Sequence, residues 1–139
     1  MIGSGERVTI PTRMAEEDFS KNLKRRREIS ITVTGRRSGR AITIPVWFVA
    51  DEHAIWLLPV NGSDTQWYKN LENNSAITIA AESARQEFRA RLIKDAQAVD
   101  AVVSQFRDKY GADDLKRYYT KLDVAVQNPL HASDAKREK

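Results

Sequence analysis

From residue 29 the chain leaves a polar, basic run and takes up a two-residue rhythm. Apolar and hydroxylic positions alternate through Ile29-Ser30-Ile31-Thr32-Val33, the spacing of a strand with one buried face. The stretch Ile42-Thr43-Ile44-Pro45-Val46-Trp47-Phe48-Val49 is β-branched and aromatic, and Ala54-Ile55-Trp56-Leu57-Leu58 follows it across the polar turn Ala50-Asp51-Glu52-His53. Residues 75–80, 86–94 and 122–127 carry the same strand pattern. Helical spacing is clearest over residues 95–110, where Ala98, Val99, Val102, Val103 and Phe106 share one face and Gly111 supplies the stop. A thinner stripe of Met14, Phe19 and Leu23 predicts a helix over 14–27. Two short helices are expected as well. One is capped by Ser63, Asp64 or Thr65 and ends at Asn73-Asn74, and the other is opened by Asp113 and Asp114 and runs to Thr120.

The first three strands follow one another through short turns, which makes an antiparallel meander, and sheets of that kind often close into small barrels. The expected class is therefore α+β, mainly β, with mostly antiparallel strands and flanking helices. At 139 residues the chain has room for one domain. Residues 1–13 read as a flexible lead-in, 14–130 as the folded unit and 131–139 as a polar tail. Pro45 stands inside a strand pattern, where proline is tolerated only at an edge or a bulge, so a break in the ladder is expected there.

Composition narrows the chemistry. The formal charge of +4 favours anionic partners without naming one. There is no cysteine, which excludes disulfides, thiolate metal sites and thiol nucleophiles. The first residues lack the apolar core of a secretory signal and no apolar run is long enough to cross a bilayer, so the expected compartment is the cytoplasm, without stable membrane insertion. Only His53 and His131 are present, one in an expected hairpin turn and one in the tail. Neither is a persuasive base, and no histidine-rich metal site can be built from them. If the chain is an enzyme, a bound cofactor should carry the chemistry.

Two features suit such a ligand. The turn Thr34-Gly35-Arg36-Arg37-Ser38-Gly39-Arg40 joins two strands, with glycines that permit a tight reversal and guanidinium groups that bind phosphate or carboxylate bidentately. A solvated, charge-bearing hairpin is the alternative reading of the same residues. The start of the helix after residues 63–65 is a second candidate anion site. The second feature is aromatic. Trp47 follows the Pro45 break, and Trp67 sits among the polar residues Asn61, Gly62, Ser63, Gln66 and Lys69, a setting for a ring that stacks on a planar ligand. For Trp56 core packing is the simpler reading.

Taken together, the run from Arg27 through the Gly35–Arg40 turn, then Ile44-Pro45-Val46-Trp47-Phe48-Val49, then Leu57-Leu58-Pro59-Val60-Asn61-Gly62-Ser63-Asp64-Thr65-Gln66-Trp67-Tyr68-Lys69-Asn70, resembles the deazaflavin-dependent nitroreductase and quinone reductase family. That family belongs with the split β-barrel flavin-binding proteins related to pyridoxamine phosphate oxidase. The resemblance covers about residues 27–129. It implies a single split β-barrel of about six strands that binds coenzyme F420 in its groove. It places the cofactor's phosphate and acidic arm on Arg36, Arg37, Ser38 and Gly39, the deazaflavin ring against Pro45, Val46 and Trp47, and a covering loop at Asn61, Gly62, Ser63, Trp67 and Lys69. The chain departs from the family pattern at Asn61-Gly62-Ser63, where many relatives carry a lysine and paired glycines, and at Gln66, where they carry proline. FMN is the alternative cofactor.

The activity implied is reduction of a small planar acceptor, a quinone, nitro compound or enone, by hydride from the reduced deazaflavin. Tyr118 or Tyr119 is the candidate proton or hydrogen-bond donor to that acceptor. Two other readings compete: a cofactor carrier without turnover, and a binder of nucleic acid or anionic surfaces using Arg25, Arg26, Arg27, Arg36, Arg37 and Arg40. The cofactor reading expects no nucleic acid partner, and monomer and homodimer both remain open.

Overall fold

A computed structural model describes Leu23, residues 26–81 and residues 84–130. The expected lead-in over 1–13, the tail over 131–139 and most of the helix expected over 14–27 lie outside the described residues; of that helix, Leu23 is helical and buried.

Eight strands are described: β1 (Ile29–Thr34), β2 (Ala41–Val46), β3 (Phe48–Ala50), β4 (Ala54–Leu57), β5 (Ala76–Ala81), β6 (Ala84–Arg89), β7 (Arg91–Ile93) and β8 (Ala125–Pro129). Three fully described α-helices accompany them, α1 (Gln66–Asn73), α2 (Ala96–Tyr110) and α3 (Ala112–Tyr118), with a short 3-10 turn over Gly62–Asp64. The strands form two four-stranded antiparallel sheets, in the orders β2-β1-β5-β6 and β3-β4-β8-β7. A single residue, Trp47, separates β2 from β3, and a single residue, Ala90, separates β6 from β7. Each of these long strands therefore leaves one sheet and enters the other, so six predicted strands become eight. The sheets are joined at these corners without closing into a continuous barrel, which gives the split form.

Sequence explains the break between β2 and β3. Pro45 pairs with Ser30 of β1, and because β2 is the edge of its sheet the missing proline N–H costs no ladder hydrogen bond on the outer side. The interruption falls two residues later, at Trp47, where the strand changes sheets. The last strand begins three residues later than the pattern suggested, because Leu122 is exposed and residues 121–123 are tied to a loop instead of a sheet.

Two apolar layers hold the sheets in place. Between them lie Ile31, Val33, Phe48, Ile55, Leu57, Ile77, Ile79 and Val126, with Trp67, Tyr68 and Leu71 of α1 closing one end. On the outer side of the second sheet, Val99, Val102, Val103, Phe106 and Tyr110 of α2 pack with Leu115, Tyr119, Val49, Leu58 and Ala125. The buried face of α2 follows the predicted spacing. Its ends are those expected, with the Asp95 carboxylate accepting the Ala98 N–H at 3.0 Å and Gly111 at φ 97° at the C-terminal end. Trp56 packs against this layer and its indole N–H donates to Asp51 Oδ2 at 2.9 Å, in keeping with a core role.

Candidate functional site

Apolar side chains that the core leaves uncovered converge on one place. Val60 and Tyr118 are among the few large hydrophobic residues exposed to solvent, and both line a cleft of about 490 Å³ along the edge strand β2. Its other walls are Glu28, Ile44, Pro45, Val46, Trp47, Leu58, Thr65, Trp67 and Tyr119. This volume lies within the range of small-molecule sites, roughly 300–1,000 Å³. Among the described residues β2 is an edge strand, and it runs beside the cleft with one backbone edge turned away from β1, an edge whose polar groups suit the rim of a heterocycle.

Trp47 is fixed from behind. Its ring stacks on Tyr110 with centroids 4.3 Å apart and planes 6° from parallel, and Tyr118 meets it edge-on at 5.5 Å. The Tyr110 hydroxyl accepts the Phe48 N–H at 3.0 Å and lies 2.7 Å from the Arg27 carbonyl and 2.9 Å from the Phe48 carbonyl, to one of which it donates. A side chain from α2 thus supplies hydrogen bonds at the point where the ladder breaks, as buried backbone groups require. The Arg27 guanidinium lies 5.1 Å from the Tyr110 ring and 5.8 Å from that of Trp47, and Lys109 Nζ sits 3.6 Å from the Phe48 ring while donating to the Phe48 carbonyl at 3.0 Å.

Burial sets the protonation of this backing layer. It pushes the Tyr110 phenol up to about 12, against the Phe48 hydrogen bond and the nearby Arg27, which pull it down. Burial pushes Tyr119 up as well, helped by Tyr110. The Lys109 ammonium is brought down to about 8 by burial and then by Arg27. At neutral pH both phenols are therefore protonated and can donate.

The arginine turn sits at the far end of β1 from Glu28. Gly35 N–H donates to the Arg40 carbonyl and Gly39 N–H to the Gly35 carbonyl, both at 2.8 Å, Gly39 has φ 73°, and Ser38 Oγ accepts the Arg40 N–H at 3.1 Å. Arg36 turns toward α1: Nη1 donates to Asn70 Oδ1 at 2.7 Å, Nη2 to Gln66 Oε1 at 2.8 Å, and the Arg36 backbone N–H to Asn70 Oδ1 at 3.1 Å. Gln66 and Asn70 flank Trp67 on that helix, so the turn is docked beside the cleft wall. Arg37, Ser38 and Arg40 are exposed.

The loop between β4 and α1 is tied to the segment after α3. Asp123 accepts the Ser63 N–H at 2.9 Å and the Ser63 hydroxyl at 2.7 Å. Lys121 pairs with Asp64 at 3.1 Å and lies 3.8 Å from Asp123. Thr120 N–H donates to the Val60 carbonyl at 2.8 Å, and its hydroxyl to Asn61 Oδ1 at 2.6 Å. Partial burial tends to raise the Asp123 carboxyl, but the Ser63 hydrogen bonds and Lys121 outweigh it and hold the group low. This clasp joins two walls of the cleft, Val60 and Thr65 on one side and Tyr118 and Tyr119 on the other.

Of the residues singled out from sequence, Pro45, Val46, Trp47, Trp67, Tyr118 and Tyr119 meet in the cleft. Arg36, Arg37, Ser38 and Gly39 form the neighbouring turn, Asn61, Gly62 and Ser63 form the clasped loop, and Lys69 is half-buried on α1 without lining the cleft. Trp67 belongs at once to the main core and to the cleft wall. Glu28, Ile44, Leu58, Val60 and Thr65 are additional walls. A signal for Ile44 was present in the sequence, since Ile44 and Val46 flank the proline on an edge strand that has too few partners to cover them. Among the described residues no cluster of histidine and acidic side chains could hold a metal ion, and no helix is long and apolar enough to cross a membrane.

This architecture, two sheets sharing their corner strands around an aromatic cleft, is that of a split-barrel cofactor-binding protein. Residues 7–129 match the family model of F420H2-dependent quinone reductases, and the chain belongs to that family. It is accordingly an oxidoreductase whose cofactor is coenzyme F420. Among solved structures it is similar to an F420-H2 dependent reductase, FDR-A, with a TM-score of 0.59 at 17% identity over 74% of this chain and 94% of the other. It is also similar to the heme storage protein HutZ of Vibrio cholerae, with a TM-score of 0.60 at 16% identity over 81% of this chain and 87% of that one. A third similar structure is a putative pyridoxamine 5'-phosphate oxidase of Listeria innocua, with a TM-score of 0.61 at 10% identity over 83% and 93% of the two chains. At these identities the likeness is one of fold. No curated protein sequence matches the chain.

The cleft fits the cofactor's ring. Its walls are apolar except for Glu28 and the hydroxyls of Thr65 and the two tyrosines, and its Trp47 wall is backed by the stacked Tyr110 ring.

Proposed function

We propose that the chain reduces small planar acceptors of the quinone type, with nitro compounds and enones as related substrates. The carrying observation is the aromatic cleft between Trp47 and Trp67 with a docked arginine turn beside it. Reduced F420 supplies a hydride when bound. Trp47 and Trp67, with Pro45 and Val46, would hold the ring and exclude water from it. Arg37 and Arg40, with Ser38, are the exposed donors for the phosphate and acidic arm, while Arg36 fixes the turn to α1. Gly39 permits that turn. Asn61, Gly62 and Ser63 would cover the cofactor as a loop held by Asp123, with Lys69 adding a cation on the same side. Tyr118, half-exposed on the cleft wall, is the group placed to hydrogen-bond the acceptor oxygen.

The test follows oxidation of F420H2 by 2-methyl-1,4-naphthoquinone under anaerobic conditions. Turnover is expected from the wild type. Trp47→Leu should lower kcat/KM at least tenfold, and Tyr118→Phe should lower kcat more than it raises KM. Absence of turnover with quinone, nitro and enone acceptors alike would contradict the proposal.

A further inference from the structure

Among the described residues, Glu28 is the only charged side chain in the walls of the cleft. It is exposed and makes no hydrogen bond or ion pair within the described residues. A carboxylate so placed beside an aromatic stack serves neither the core nor the strand ladder. It is near enough to the Trp47 and Tyr110 rings to contribute to the rise of the Tyr110 phenol.

Its position along β1 gives the site a polarity. Glu28 directly precedes the first residue of that strand, and the arginine turn begins directly after the last. Seven residues of extended chain span about 23 Å, so a carboxylate marks one end of the region and three arginines the other. An anionic arm belongs at the arginine end. At the Glu28 end an approaching acceptor meets apolar walls and one negative charge. Among the described residues no cation lines the cleft: Arg27 lies against the Tyr110 and Trp47 rings, and Lys109 is held by the Phe48 ring and carbonyl.

We infer that Glu28 is a charge filter that admits neutral and cationic planar acceptors and disfavours those bearing a fixed negative charge. The inference rests on the cleft being the acceptor site, and it concerns which acceptors enter. Two unit charges about 4 Å apart in a largely aqueous setting alter an equilibrium roughly fivefold, and less water between them enlarges the effect.

The experiment compares two quinones of similar shape on the cofactor-free protein, neutral 2-methyl-1,4-naphthoquinone and anionic 1,4-naphthoquinone-2-sulfonate, by quenching of tryptophan fluorescence. The same pair is then compared by kcat/KM with F420H2. The sulfonate keeps its charge across the working pH range, so no titration confuses the comparison. Glu28→Gln should raise affinity for the sulfonate about fivefold relative to the neutral quinone, and Glu28→Lys should raise it further. Glu52→Gln, an exposed carboxylate in the turn between β3 and β4, should leave the ratio within twofold of wild type. If the ratio is unchanged in both Glu28 variants while both quinones bind, the filter is refuted and the cleft stands. Should neither quinone bind wild-type protein nor oxidise F420H2 on it, the cleft is not the acceptor site and the inference falls with it.

Discussion

Gly62 shows how much one position can decide. It has φ 57°, and a Cβ there would lie 2.1 Å from Asp123 Oδ1 and 2.9 Å from Lys121 Cγ. Gly62→Ala therefore meets both a disfavoured backbone and a direct collision with the clasp. A loss of about 1–3 kcal/mol is expected, seen as a fall of roughly 3–10 °C in a thermal melt. The sequence suggested this glycine as part of a ligand loop, yet its nearest partner is the chain's own carboxylate, 61 residues away in sequence. Tyr110 was equally hidden. Its place at the end of the helix over 95–110 was legible, but its hydroxyl serves Phe48 and Arg27, and only the fold brings a residue 62 positions away from Phe48 to a strand break. Trp47 and Pro45 were legible because proline inside a strand pattern has few solutions, and an edge strand that changes sheets is one of them.

Among the elements, the β1–β2 hairpin and α1 depend on each other through Arg36. Two similar arginines in sequence take different tasks in the structure. Arg36→Ala removes guanidinium donors from Asn70 and Gln66 and should cost about 1–2 kcal/mol of stability, measured by denaturant unfolding. The double substitution Arg37→Ala, Arg40→Ala should leave stability within about 0.5 kcal/mol, because both side chains are exposed, but should weaken F420 binding about tenfold for each charge-assisted hydrogen bond removed. Equal stability losses in the two variants would remove the distinction. The hairpins themselves were legible from period-two alternation and turn residues. The division of the second and fifth predicted strands was legible only in part, since Ala90, the second corner, carries no local signal of a break.

For the whole molecule, the layer behind Trp47 links stability to pH. Lys109 titrates near 8 in the fold and near 10.5 when unfolded, so between those values the unfolded chain binds more protons and stability rises with pH. Below about pH 8 both states are protonated and the contribution is flat. Tyr110 acts in the opposite direction: its folded value of about 12 exceeds the ordinary phenol value near 10, so its contribution is present below pH 10 and is lost as pH climbs toward 12. Denaturant midpoints should show the difference. Wild type should gain on Lys109→Met between pH 8 and 10, and that gain should be absent between pH 6 and 7.5. A constant difference across both ranges would contradict the assignment. None of this was legible in the sequence, because it depends on α2 covering the strand corner.

The function turns on whether the cleft takes a deazaflavin. Titrating the cofactor-free protein with F420 and separately with FMN, read by quenching of tryptophan fluorescence, tests this most directly. F420 should bind with saturable quenching that Trp47→Leu reduces and the Arg37, Arg40 double variant weakens at least tenfold. Tight binding of FMN with none of F420, or F420 binding indifferent to all three residues, would contradict it.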